Sequence, residues 1–309
     1  MLSQKLMKKP KILKKGDVIG IFAPASPVKR EFFEKGINKL KELGFEVKYS
    51  QNIFQKEKFL AGNDKKRAKE FIELLKDEKI KALIGARGGY GSIRLIPFLE
   101  EINFSQMKPK ILIGSSDLTY LLLYFNQKYK WVVFYGPMAS SSIAKDNYDK
   151  KSFIHVLTQP TPLSPLICGK VIKPGKTTGI LTGGCLSLIC STLGTPYEIE
   201  TSEKILILED YQEKPYRIDR YLWQLKLAGK FEKIKGIIFG EMKECIQHPE
   251  QGYILEDIIK DFFKEYNFPI LYGFPFGHSE KSFTLPLGIK AEIDTSLPGI
   301  KFLEEATSN

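Results

Sequence analysis

No stretch of this sequence approaches the ~20 consecutive apolar residues that a membrane-spanning helix needs. The lysine-rich start, residues 1–16, lacks the apolar core of a signal peptide. The reading is a cytoplasmic protein with no membrane partner. Cysteine is sparse: Cys168, Cys185, Cys190 and Cys245 have neither zinc-type spacing nor the pattern of a disulfide framework, which fits a reducing compartment. Histidine is sparser still, with 3 in the chain. Any imidazole chemistry must therefore draw on His155, His248 or His278. No RNA- or DNA-binding motif accompanies the net charge of +11. Lysines are spread along the chain among glutamates, so the excess reads as a solvated surface. It would suit an anionic small substrate better than nucleic acid.

What is present is ample apolar content, 43% of 309 residues, enough for one large domain or two of ordinary size. The chain is organised around Lys110-Ile111-Leu112-Ile113-Gly114-Ser115-Ser116-Asp117-Leu118-Thr119. A short aliphatic run, the pattern of a buried parallel strand, ends in Gly-Ser-Ser-Asp. A second apolar run, 118–125, reads as a helix, with Asp117 and Thr119 placed to cap its start. Strand, sharp turn and helix with a serine on the turn is how a nucleophile is raised above a sheet, beside amides that can stabilise an oxyanion. Because Asp117 follows the serine, this is a relative of the Gly-x-Ser-x-Gly elbow rather than a match. The same residues also fit a plain βα turn whose serine only caps the helix.

In chain order, strands are expected at 17–25, 45–49, 82–86 and 131–135, with helices at 30–43, 63–76 and 92–100. Repeated βα units imply a mostly parallel sheet flanked by helices. Arg87-Gly88-Gly89-Tyr90-Gly91 follows a strand and precedes a helix. It is neither a Walker loop nor a dinucleotide fingerprint. Its glycines would let backbone approach the serine turn at the carboxyl ends of the strands, where open α/β sheets place their sites. An amide of Gly88 or Gly89 could then join that of Asp117 around an oxyanion; a tight turn without chemistry is the alternative. Prolines at 160, 162 and 165 disfavour regular structure, and 151–175 reads as a linker between domains 1–150 and 176–309. Beyond it, strands are expected at 178–181, 204–208, 234–239 and 269–276. Helices are expected at 186–193, 216–227 and 255–266, a turn at 182–184 and a terminal hairpin or meander over 287–302. The fold class is α/β: an N-terminal, mostly parallel sheet flanked by helices, then an α/β domain with a β-rich end, and a site in the cleft between them.

Glu209 and His278 each lie at or just past a strand end. A histidine near neutral pKa is the usual base for a serine, and a carboxylate fixes its tautomer. Ser116, Glu209 and His278 are thus candidates for one set. His155, in a helix, and His248, beside Pro249, read as surface residues.

In these segments the chain resembles the LD-carboxypeptidase family of serine peptidases, which includes microcin C immunity peptidases. The matching pieces are Ala23-Pro24-Ala25-Ser26, Arg87 to Gly91, Gly114-Ser115-Ser116-Asp117, Gly183-Gly184 with Leu186-Ser187-Leu188, Gly194-Thr195-Pro196-Tyr197, Leu208-Glu209-Asp210 and Gly277-His278. The resemblance implies that Ser116, not Ser115, is the nucleophile, with Glu209 and His278 completing a triad across two domains. It implies release of terminal D-alanine from murein tetrapeptides, no metal or organic cofactor, and a homodimer. A carboxypeptidase needs a group for the terminal carboxylate, and Arg87 is the candidate. Cys185 stands where the family often has Asn, and a thiol nucleophile there is disfavoured because no histidine is near in sequence. Two alternatives stay open. One is a family hydrolase of aminoacyl-nucleotides, although 159–176 offers no aromatic to stack on a purine. The other is a two-domain binder without chemistry, although such binders are usually exported.

Overall fold

A computed structural model describes residues 6–246 and 249–309. His248 lies outside them. Two sheets carry the architecture. The first has six strands in the spatial order Leu285–Leu287, Val133–Tyr135, Ile111–Gly114, Ile80–Gly85, Val18–Phe22, Glu46–Lys48. All its pairs are parallel except that of Leu285–Leu287 with Val133–Tyr135. The second has eight strands, in the order Leu166–Ile167, Gly299–Phe302, Lys290–Asp294, Lys176–Cys185, Lys204–Glu209, Gly236–Gly240, Ile270–Phe274, Lys170–Lys173. Its four central strands are parallel and its flanks antiparallel. The fold is the expected two-domain α/β arrangement, with helices packed on the sheets.

The central strands are aliphatic and buried, as parallel strands covered on both faces must be. The helix Thr119–Tyr129 is buried nearly all round, the pattern of a helix enclosed by its own protein. It joins the two halves. Leu121, Leu122 and Phe125 pack into the core of the first sheet, while Leu123 packs into the cluster that covers the second. Tyr120 and Ser191 hydroxyls meet at 2.7 Å, and the Cys185 amide donates to Thr119 Oγ1 at 3.1 Å.

Four local expectations change. The segment 151–175, expected as a linker, is partly built into the sheets. Lys150–Thr158 is a helix, as expected around His155, with Phe153 and Leu157 in the first core, but Leu166–Ile167 and Lys170–Lys173 are edge strands of the second sheet. The proline-rich 159–165 lacks strand or helix, because each proline removes a donor. The expected turn at 182–184 is absent, since the strand Lys176–Cys185 runs straight through it. Pairing with the neighbouring strand continues to Cys185 opposite Glu209, and φ angles of +131° and +146° at Gly183 and Gly184 let it pass the crowded junction. Leu285–Leu287 crosses back to the first sheet, so sheet membership does not follow the linear division at 176. Asp117 does not cap its own helix, as described below.

Leu122 is fully buried within the joining helix. Leu122→Ala is expected to cost about 2–5 kcal/mol of unfolding free energy. Urea denaturation checks this; a loss under 1 kcal/mol (roughly the scale of a tolerated surface change) would contradict the placement.

Candidate active site

The strand Ile111–Gly114 ends in extended Ser115, and the chain then turns sharply at Ser116. Ser116 has φ +54°, a left-handed conformation that costs a non-glycine residue roughly 1–2 kcal/mol. Two bonds hold it. Its amide donates to Tyr135 Oη at 3.0 Å, and Thr119 Oγ1 donates to its carbonyl at 2.7 Å. A serine held on a strained strand-to-helix turn stands clear of the sheet edge, the geometry of a nucleophile elbow.

Glu209 ends its strand with its side chain almost wholly buried. Its Oε2 lies 2.7 Å from His278 Nδ1, and its Oε1 accepts the Tyr135 hydroxyl proton at 2.5 Å. His278 follows Gly277, whose φ is +75°; a Cβ there would sit 2.4 Å from Glu209 Cδ. Glycine is therefore required for the carboxylate to reach the ring. Burial lowers the His278 pKa, but the charge and hydrogen bond of Glu209, with the charge of Asp210, raise it overall above the ordinary 6.5. Burial and the Glu209 charge push the Tyr135 phenol well above its ordinary value, so it stays a donor. The Tyr211 ring stacks on His278 with centroids 4.9 Å apart.

The glycine loop closes over the serine. A Cβ on Gly88 would fall 3.1 Å from Ser116 Cβ, so only glycine lets the loop backbone lie there unhindered. The Asp117 carboxylate, expected to cap its own helix, instead accepts from the amides of Gly91 at 3.2 Å and Ser92 at 2.7 Å. It caps the short helix Ser92–Leu95 and ties the loop to the elbow. Ser26 Oγ accepts the Tyr90 amide. Buried Arg67 donates to the carbonyls of Pro24 and Gly91. The amides of Gly88, Gly89 and Asp117 have no acceptor among the described residues.

Ser116, Gly88, Arg87, Asp210, Tyr211 and His278 line one cavity of about 520 Å³. The strand-end residues expected from sequence are thus brought together, Ser116 from the first sheet and Glu209 and His278 from the second. Arg87 faces the cavity and donates to the Pro27 carbonyl at 3.2 Å. Burial, then the charges of Asp210 and Glu209, raises the Cys185 thiol well above its ordinary pKa, which disfavours the thiolate a cysteine nucleophile needs. Burial first, then Glu209, raises Asp210 to about 6. His155 is elsewhere, bonded to the Thr161 carbonyl at 2.9 Å. Among the described residues no cluster of three His, Cys, Asp or Glu side chains is arranged to hold a metal ion, and no helix is long and apolar enough to cross a membrane.

Sequence reasoning missed two parts of this site. Tyr135 is expected only as part of the strand 131–135, yet it is a polar tip at the end of that strand, the signal that singled out Glu209. The π-helix Ala139–Ile143 falls in a stretch to which sequence reasoning assigns no element. Tyr135→Phe would leave Glu209 Oε1 and the Ser116 amide short of partners, and is expected to cost about 1–3 kcal/mol. Chemical denaturation tests this, and a variant as stable as the parent would show that neither bond matters.

A family model described as the LD-carboxypeptidase N-terminal domain matches residues 19–136, and one described as the C-terminal domain matches 178–293. The chain is 38% identical over 299 residues to the probable murein peptide carboxypeptidase of Bacillus subtilis, covering 93% of this chain and 92% of that one. It superposes on the microcin C7 self-immunity protein MccF in complex with glutamyl sulfamoyl guanosine with TM-score 0.87 and 26% identity, over 97% and 99% of the two chains. The muramoyltetrapeptide carboxypeptidase of Oxalobacter formigenes gives TM-score 0.80 and 28% identity, over 91% and 97%. Matched in both halves and along most of its length, the chain belongs to the LD-carboxypeptidase family.

Proposed function

We propose that this protein is a serine LD-carboxypeptidase that releases terminal D-alanine from murein tetrapeptides. The observation that carries the reading is the meeting of a strained serine elbow with a Glu–His pair in one cavity. With Nδ1 bound to Glu209, Nε2 is the nitrogen left to act as base. It takes the proton of Ser116 Oγ as that oxygen bonds to the scissile carbonyl carbon. The amides of Asp117 and of Gly88 or Gly89, free of protein acceptors, receive the oxyanion. As the C–N bond breaks, His278 returns the proton to the departing amine, and a water activated by the same ring then hydrolyses the acyl-enzyme. Ser116 rather than Ser115 takes the role because Ser116 carries the positive φ and the close approach of Gly88. Arg87, on the cavity wall, receives the terminal carboxylate.

Aminoacyl-nucleotide hydrolysis is the competing reading, since MccF is solved with such a ligand. The peptide is favoured because the tyrosine lining the cavity, Tyr211, already has one face on His278. In addition, 159–176 holds no aromatic.

Purified protein given L-Ala-γ-D-Glu-meso-diaminopimelate-D-Ala is expected to release D-alanine, as is Ser115→Ala. Ser116→Ala and His278→Ala should fall by at least about 10³-fold. Folded wild-type protein that releases none, yet cleaves an aminoacyl sulfamoyl adenosine, would reverse the choice of substrate.

The raised His278 pKa sets the pH dependence. The base must be neutral, so kcat/KM should rise with pH through a midpoint above 6.5 and fall away below it. Glu209→Gln removes the charge that raises this pKa, and its midpoint should move down. A midpoint in the variant equal to that of the wild type would break the assignment.

A further inference from the structure

Beside the catalytic cavity lies a second recess of about 230 Å³, lined by Lys29, Phe32, Arg87, Ser140, Ser141 and Lys145. It shares Arg87, Ser141 and Lys145 with the cavity that holds Ser116. Three features set it apart. Its charged groups are all cationic, and neither Arg87 nor Lys145 has a carboxylate within ion-pair distance among the described residues: Arg87 donates to the Pro27 carbonyl, and Lys145 Nζ lies 5.5 Å from the Phe32 ring centre, while Lys29 feels the charge of Glu31. Its serines come from the π-helix Ala139–Ile143, a rare element that recurs at functional sites. The hydroxyls of Ser140 and Ser141 are buried without a hydrogen-bond partner, Ser140 being only 8% exposed. A buried unpaired hydroxyl is costly unless something fills it. Arg87 and Lys145, two neighbouring cations without an ion-pair partner among the described residues, repel one another until an anion arrives.

The π-helix is held firmly. The Ser140 amide donates to the Ala86 carbonyl at 2.8 Å, immediately before Arg87. On its other side the helix Arg30–Glu42 approaches so closely that a Cβ on Gly36 would sit 2.0 Å from the Ala139 carbonyl oxygen. The serines are therefore presented by backbone anchored to the strand that ends at the glycine loop. The charge of the cavity is also polarised: Asp210 and Glu213 lie on its wall, but neither lines this recess.

We propose that this recess is the carboxylate subsite, in which Lys145, Ser140 and Ser141 act with Arg87 to bind the terminal carboxylate of the departing D-amino acid. It would thereby confine the enzyme to the end of a peptide. The proposal rests on the carboxypeptidase reading and deepens it. The ammonium-bearing part of the substrate then lies toward Asp210 and Glu213, where a carboxylate would be repelled.

The test uses two tetrapeptides that differ only in ending in D-alanine or D-alaninamide, with labelling of Ser116 by a fluorophosphonate as an independent readout of the reacting groups. Wild type should prefer the acid. Lys145→Met and Ser141→Ala should raise KM for the acid by roughly 10-fold or more, as expected for loss of a charge-assisted hydrogen bond, and reduce the preference over the amide. Lys65→Met, which removes an exposed charge elsewhere, should behave as wild type in both cleavage and labelling. Variants that keep the full acid preference would overturn the subsite. If no peptide is cleaved, protection of Ser116 from the label decides. Protection by D-alanine that is lost in Lys145→Met upholds the subsite while removing the tetrapeptide reading. Protection by adenosine monophosphate but not by D-alanine overturns it in favour of a phosphate site.

Discussion

One continuous chain of hydrogen bonds crosses between the two halves of this protein at its cavity. It runs from the Ser116 amide to the Tyr135 hydroxyl, through that hydroxyl to one oxygen of Glu209, and from the other oxygen to His278. Tyr135 belongs to the first sheet and Glu209 to the second. A carboxylate as buried as Glu209 is tolerable only if its oxygens are paired. That need fixes both the tyrosine and the imidazole around it. The relative placement of the two sheets is thereby tied to the geometry of the reacting groups.

The surrounding structure serves the same constraint. Gly277 gives the carboxylate room, and Gly184 gives room to Thr119 and to the Tyr135 ring. The Asp117 carboxylate holds the glycine loop against the elbow from beneath, while its amide stays free above. One residue thus uses its side chain for structure while its amide has no acceptor among the described residues. The helix after the elbow is buried in both cores, so the serine is mounted on the most enclosed helix of the fold rather than on a mobile loop. Preorganisation of this kind lets amide dipoles act on a developing charge without first rearranging.

Much of this was legible in the sequence because strand ends in parallel sheets collect functional groups. Ser116, Glu209 and His278 each end or follow an apolar strand; Ser116 and His278 line the cavity, and Glu209 bonds to His278. What was not legible depended on contacts between distant segments. Gly183-Gly184 has the composition of a turn, but the neighbouring strand keeps it extended. Nothing local says that Leu285–Leu287 pairs with Val133–Tyr135, since an apolar strand suits either sheet. Asp117 looked like a cap for its own helix because the loop it binds is about 25 residues away in the chain. The π-helix Ala139–Ile143 goes unassigned from sequence, since such an element has no sequence period of its own to betray it.

The most direct test of the account is to locate the reacting nucleophile. Protein treated with a fluorophosphonate, digested and mapped by mass spectrometry should carry the adduct on Ser116. The adduct should be greatly reduced in His278→Ala if, as proposed, the imidazole activates the hydroxyl. An adduct on Ser115 or elsewhere, or labelling of Ser116 that is indifferent to His278, would contradict the elbow and triad described here.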